Sequence, residues 1–245
     1  VRRAPLLLAL VLLAPACKHN TTPPAATPTD DLAAARARLA VLAQATASGI
    51  YDATYVFVQQ GTNARGTIRI RQRPPFYRID IARKDTASFF SLHRGIVSCS
   101  RKGKKKSCFL VARPGEEVPA LFDPGVQRLF RDAVEDLAAH PDEYAVSRLP
   151  GPPSASPSPS ALGVAPGECF LVNRPKPTPS TVPRTRVGFE NGTYCFTQDG
   201  MATLIDVNSG SLTLVKVGPA PTMAAFKPIT TVVKLPTLSP TKPKK

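Results

Sequence analysis

The residues with most chemistry to offer are the cysteines Cys99, Cys108, Cys169 and Cys195 and a run of cations between the first two. Cys99 closes the apolar run Ile96-Val97-Ser98, and Cys108 opens Phe109-Leu110-Val111. A polar tip separates them, which predicts a hairpin with Cys99 facing Cys108. Cys169 precedes Phe170-Leu171-Val172, and Cys195 sits within Thr193-Tyr194-Cys195-Phe196-Thr197, leaving Cys169 with Cys195 as the second disulfide. An even set of cysteines suits an oxidising compartment. Zinc is the alternative use of four thiols, but no C-x-x-C pair is present. The tip carries Arg101, Lys102, Lys104, Lys105 and Lys106. Either these cations meet anionic head groups, at about 1 kcal/mol per charge near such a surface, or they are a solvated turn. Gly103 to Ser107 lacks the leading glycine of a phosphate loop.

Catalytic patterns are not found. H-E-x-x-H, G-x-S-x-G and the phosphate-loop motif are missing from the sequence. His93 and His140 have no carboxylate or thiol at ligand spacing, and Asp132, Glu135 and Asp136 fall mostly off an apolar helical stripe, where Arg131 can pair with Glu135. The expectation is a protein without catalytic residues, metal or cofactor.

Cys17 calls for different chemistry. It follows Arg2-Arg3 and an apolar stretch, Ala4 to Ala16, of about 13 residues, against roughly 20 for a membrane-spanning helix. A basic start, a short apolar region and a small residue before the cut make a secretory signal. Leu13-Ala14-Pro15-Ala16-Cys17 resembles a bacterial lipobox, with the Cys17 thiol as acceptor of a diacylglycerol. Residues 1–16 are expected to be the signal peptide and 17–29 a lipidated, Pro-bearing tether. The protein would then be anchored by lipid to the cell membrane, facing the periplasm or exterior.

The formal charge is +15, from 32 Lys and Arg against 17 Asp and Glu. Outside a cell, so basic a chain meets anionic membrane or wall polymers first, and no nucleic-acid motif is present. No Trp and 27 Pro argue against a helical bundle and for long irregular stretches.

These residues need a scaffold, and periodicity supplies it. Leu32, Ala35, Leu39 and Leu42 recur at helical spacing behind Thr29-Asp30 as cap. Tyr51, Ala53, Tyr55 and Phe57 alternate on one strand face, as do Ile68 and Ile70 after a turn at Gly61 and Asn63. Pro74-Pro75 interrupts before Tyr77 to Ile81, and further strands are expected at 88–99 and 107–112. One face of this meander is apolar and the other basic. A second helix runs from the cap Asp123-Pro124 to Pro141, with Val126, Leu129, Phe130, Ala133, Val134 and Leu137 as its stripe. Strands follow near 144–146, at 169–173, at 187–190 leading into a turn at Asn191-Gly192, and at 193–197, 203–207 and 211–217. Pro-rich loops occupy 150–166 and 174–183, and 231–245 is a frayed basic Pro/Lys tail.

The order of these segments resembles that of the LolA-like lipoproteins, which include the LolA carriers, mycobacterial LppX and LprG, and the stress sensor RseB. It is carried by Tyr51-Asp-Ala-Thr-Tyr55, Gly66-Thr-Ile-Arg-Ile70, Pro74-Pro75-Phe-Tyr-Arg78-Ile-Asp80, the Cys-to-Cys hairpin, Cys169-Phe170, and Tyr194-Cys195-Phe196-Thr197 with Asp199-Gly200. The resemblance spans roughly residues 30–230. It implies an α+β fold, a half-open antiparallel β-barrel (a curved meander sheet) with helices closing the concave face. It also implies a lipid or other hydrophobic ligand, such as a lipoprotein acyl chain, and a chain expected to be a monomer. Helix two would then be a lid, with Leu129, Phe130 and Leu137 facing Tyr55, Phe57, Ile68, Ile70 and Ile79. The RseB-like alternative is a signalling or interaction module whose cleft is filled.

Overall fold

The computed structural model describes residues 28–234 except 63, 83–85, 120–121, 123–125, 127, 151–166 and 175–189, and leaves out the side chains of 28–30, 128 and 129. Cys17, both Pro-rich loops but for their ends and the last eleven residues therefore lie outside the description, as do the cap residues Asp123 and Pro124.

The protein is α+β, with twelve strands in one curved sheet among the described residues. Helix α1 (Pro28–Ser48) leads into β1 (Tyr51–Gln59), β2 (Arg65–Arg73), β3 (Phe76–Ala82), β4 (Thr86–Leu92), β5 (Gly95–Lys102) and β6 (Lys105–Ala112). A π-helical turn, Arg128–Asp132, continues as α2 (Ala133–Ala139). Then come β7 (Ala145–Leu149), β8 (Glu168–Asn173), β9 (Gly192–Phe196), β10 (Ala202–Val207), β11 (Gly210–Gly218) and β12 (Val232–Lys234). The order across the sheet is β12-β6-β5-β4-β3-β2-β1-β11-β10-β9-β8-β7. All pairs are antiparallel except β12 on β6, and the sheet does not close on itself.

Alternation puts Tyr51, Ala53, Tyr55, Ile68, Ile70, Tyr77 and Ile79 on one face, where α1 and α2 cover them. α1 contributes Ala35, Leu39, Leu42 and Ala43 at helical spacing, and α2 contributes Ala133, Val134 and Leu137. Polar pins fix α1: the Arg36 guanidinium donates to the Tyr144 carbonyl at 2.7 Å, and Thr46 donates its hydroxyl to the Gly200 carbonyl. Gln72 donates its amide to the Thr46 and Ala47 carbonyls at 2.8 and 2.6 Å, satisfying the end of the helix.

Three expectations need correction. Residues 88–99 are not one strand but β4 and β5, joined at His93-Arg94 and Gly95. Gly95 has φ +120°, and a Cβ there would lie 2.1 Å from the Ala112 carbonyl oxygen, so only glycine lets the hairpin sit against β6. Asn191-Gly192 is not a two-residue turn: Gly192 belongs to β9 and faces Val207 on one side and Val172 on the other. Its added Cβ would meet the Asp206 carbonyl oxygen at 2.1 Å, so the residue serves close strand approach. Of the strand expected at 187–190, only Glu190 is described, and it is not in a strand. Finally, the sheet extends past residue 230, because Val232, Val233 and Lys234 pair with Cys108, Phe109 and Leu110.

Candidate functional site

Two regions carry the residues singled out by sequence: the layer between helices and sheet, and the hairpin β5–β6.

In the layer, Tyr55, Ile68, Ile70, Ile79, Phe130 and Leu137 come together in one cluster, each 0–1% exposed. The Tyr55 and Phe130 rings meet edge-on with centroids 5.3 Å apart, and Tyr55 donates its hydroxyl to the Ala202 carbonyl at 3.0 Å. Phe57 lies at the margin, half-buried. Leu129 sits in the π-helical turn, and its side chain is outside the described residues. A side chain that water cannot touch has no water-sized void beside it, so these six occupy space filled by their neighbours.

The layer also has polar members. Tyr51 donates its hydroxyl to Gln72 at 3.2 Å. Tyr77 is buried with a hydroxyl that finds no hydrogen-bond partner among the described residues. The Arg131 guanidinium stacks over the Tyr77 ring at 5.4 Å while pairing with Glu135 at 2.8 Å, the i,i+4 pair expected from sequence. Burial pushes all three phenols, Tyr51, Tyr55 and Tyr77, above the usual tyrosine range, so they remain neutral donors. Tyr51 was legible as an inward strand position. The Arg131–Tyr77 contact was not, because it joins elements more than fifty residues apart.

The disulfides are Cys99–Cys108 and Cys169–Cys195, the pairs expected from strand order. Each bridges residues directly opposite on neighbouring strands, β5 with β6 and β8 with β9. The hairpin does not turn at the cysteines: both strands run three residues further, to Lys102 and Lys105. Arg101, Lys102, Lys104, Lys105 and Lys106 are all exposed, with Arg101 facing Lys106 and Lys102 facing Lys105.

The two histidines have structural settings. His93 packs edge-on against Phe76 at 4.7 Å in the β4–β5 turn, and His140 closes α2 by donating its backbone N–H to the Asp136 carbonyl. No group of three metal-ligating side chains occurs among the described residues. No helix among them is long and apolar enough to cross a membrane.

The outer face of the sheet holds what sequence showed only as alternate basic residues in β2. Asp52 accepts from Arg69 through both oxygens, at 2.7 and 2.6 Å, and from Arg71 at 3.1 Å. Arg71 also reaches Asp80, which accepts from Arg78 at 2.9 Å and from the Ser88 hydroxyl at 2.6 Å. Burial opposes the charge on Asp52, but the two guanidiniums outweigh it and hold the carboxyl below the usual range. No protein-family model matches this chain, and no curated protein does.

Proposed function

We propose that this protein is an extracytoplasmic lipoprotein of the LolA-like kind, held to a membrane through Cys17, that acts by binding and not by catalysis. On this reading the curved sheet is a half-open barrel, and its cleft is filled by the protein's own side chains, as in an envelope signalling or interaction module. The observation that favours the filled cleft is the burial of Tyr55, Ile68, Ile70, Ile79, Phe130 and Leu137 to 0–1% exposure in one cluster. An acyl chain would have to part these residues before it could lie between them.

A specific observation supports the second reading, a carrier of lipid or another hydrophobic ligand. The Tyr77 hydroxyl is buried without a partner among the described residues, and leaving such a group unsatisfied costs about 1–3 kcal/mol. An ester carbonyl entering beneath α2 would accept its hydrogen bond.

Phe130→Trp separates the two. In a filled cleft the larger ring overpacks, lowering stability by about 1–3 kcal/mol, with no lipid extracted from parent or variant. In a carrier the ring takes up ligand volume, so stability holds while co-purifying lipid disappears. Thermal unfolding beside lipid extraction of protein exported by its own host reads both.

A further inference from the structure

Rows of cross-strand neighbours organise the outer face. One row runs Thr54, Arg69, Asp80, Ser88 and Cys99, and the next runs Val56, Thr67, Ala82, Thr86, Arg101 and Lys106. Beside them, along the row of Arg71, Arg78, Phe90 and Val97, passes the segment after β11. It is tied down where Arg73 donates to the Pro221 carbonyl at 2.9 Å and Arg78 to the Ala225 carbonyl at 2.6 Å. Phe226 is buried beside Phe76, and Ile229 and Val232 pack on Phe90, Val97 and the Cys99–Cys108 pair. On the sheet face beside the strap lies a groove of about 370 Å³, with Arg69, Arg71, Arg78 and Arg101 in its lining and Ile229 at its side.

The charges do not balance. Among the described residues, four guanidiniums line the groove, and the carboxylates that serve them are Asp80, in the lining, and Asp52, behind Arg69 and Arg71. Arg71 and Arg78 are committed to these carboxylates and to the strap. Arg69 gives Nε and Nη2 to Asp52 but keeps 45% of its side chain exposed, which leaves its other N–H groups for a ligand, and Arg101 is exposed as well. Arg101 also begins the basic hairpin tip, where Arg101 faces Lys106 and Lys102 faces Lys105. Like charges directly opposite on paired strands are destabilising. Two such pairs in succession, stapled by Cys99–Cys108, are an unfavourable arrangement that an anionic partner would relieve.

We propose that this groove binds the phosphate of an anionic phospholipid at a bilayer surface, between Arg69 and Arg101, with the hairpin lysines resting on neighbouring head groups. Guanidinium forks suit phosphate oxygens, the Thr67 and Thr86 side chains line the same groove, and the apolar Ile229 wall suits the glycerol side of a head group. This rests on the reading that the protein works at a membrane, but not on its anchor or its cleft.

The test uses the full chain carrying Cys17→Ser, so that no acyl anchor contributes, and phosphatidylcholine vesicles with or without phosphatidylglycerol. The protein is expected to bind only the phosphatidylglycerol vesicles. Arg69→Gln with Arg101→Gln should weaken binding by well over the roughly thirtyfold that losing any two cations costs at an anionic surface. Lys104→Gln with Lys105→Gln should cost clearly less, although the same charge is removed. Thr67→Glu places a carboxylate in the groove without disturbing Asp52 and should also abolish the preference, which covers the case that the arginine variant unfolds. Equal losses for the two double variants would mean diffuse attraction and overturn the site. Absence of vesicle binding overturns it too, and if inorganic phosphate alone then raises the unfolding temperature, the groove takes a free anion instead. If Cys17 proves never to be acylated, parent and Cys17→Ser chains will behave alike, and the groove result stands by itself.

Discussion

The two faces of the sheet are held by different physics. On the inner face, Leu39, Leu42, Phe130, Val134 and Leu137 from two helices meet Tyr55, Ile68, Ile70 and Ile79 in an apolar layer that excludes water. On the outer face, Asp52, Arg69, Arg71, Arg78, Asp80 and Ser88 form a polar lattice, bordered by a strap of the same chain and a second, small apolar cluster around Cys99–Cys108. One face therefore draws on area removed from water, which has no directional demand. The other depends on geometry, since a buried charge is tolerated only when paired. The difference teaches where each face can change. The inner face tolerates exchange of apolar residues of similar volume, whereas the outer lattice tolerates little exchange at Arg71 but leaves Arg101 and the exposed side of Arg69 open to something outside the protein.

The contrast predicts a graded series. Truncating the inner layer should cost most: Leu137→Ala, at a fully buried position, is expected to lower stability by about 4 kcal/mol through lost transfer energy and a cavity. Denaturant unfolding that showed a loss near 1 kcal/mol would mean that the layer is loosely packed and the two faces less different than described.

Next comes the bridge of the outer lattice. Arg71→Ala leaves Asp52 with Arg69 and Asp80 with Arg78, so the loss should sit near the low end for breaking a buried pair, about 3 kcal/mol. This loss should depend on pH where the first does not. The Asp52 carboxyl is held below its ordinary range in the fold, so its stabilisation is present above that range and disappears as pH falls through the lowered value. The gap between parent and Arg71→Ala should therefore narrow in acid while that for Leu137→Ala persists. Unfolding curves at neutral and acid pH check the sign, and parallel behaviour of the two variants would break the comparison.

The smallest effect has the opposite sign. Lys105→Glu converts the Lys102–Lys105 pair from repulsive to attractive, and should raise stability by roughly 0.5–1 kcal/mol. A gain in stability accompanied by weaker binding to anionic vesicles would tie the repulsion at the tip to its use. No gain at low salt would show that the tip lysines are too well solvated to repel.

Much of this was legible in the chain because the signals are local. Alternation in Tyr51-Asp-Ala-Thr-Tyr55 and Thr67-Ile-Arg-Ile-Arg71, and the helical spacing of Leu32, Ala35, Leu39 and Leu42, each occupy a window of a few residues. Both disulfides followed from strand order, since each pair lies on adjacent strands of a meander. The basic face was visible as well, in Arg69 and Arg71 two residues apart. The division of 88–99 was missed although His93-Arg94-Gly95 interrupts the apolar run, and the approach of Ala112 to Gly95 explains the glycine. Asn191-Gly192 misled for a related reason: its glycine is required by neighbouring strands, not by a turn.

What the sequence by itself determined, then, is most of the elements, their apolar and basic faces and the cysteine pairing. Each of these depends on contacts between near neighbours or on chain periodicity. Only the tertiary structure decided what covers each face. Arg78 and the Ala225 carbonyl are 147 residues apart, and Arg73 and the Pro221 carbonyl 148, so no local pattern announces that residues 219–234 fold back across the arginines. Residues 231–245 read as a frayed end, yet three β12 residues, like the Phe226 ring and the Ile229 side chain before them, find partners on a face that exists only once β3 to β6 have assembled. The groove beside that strap has the same origin. Its cations are written in β2, β3 and β5, but their convergence is a property of the assembled sheet.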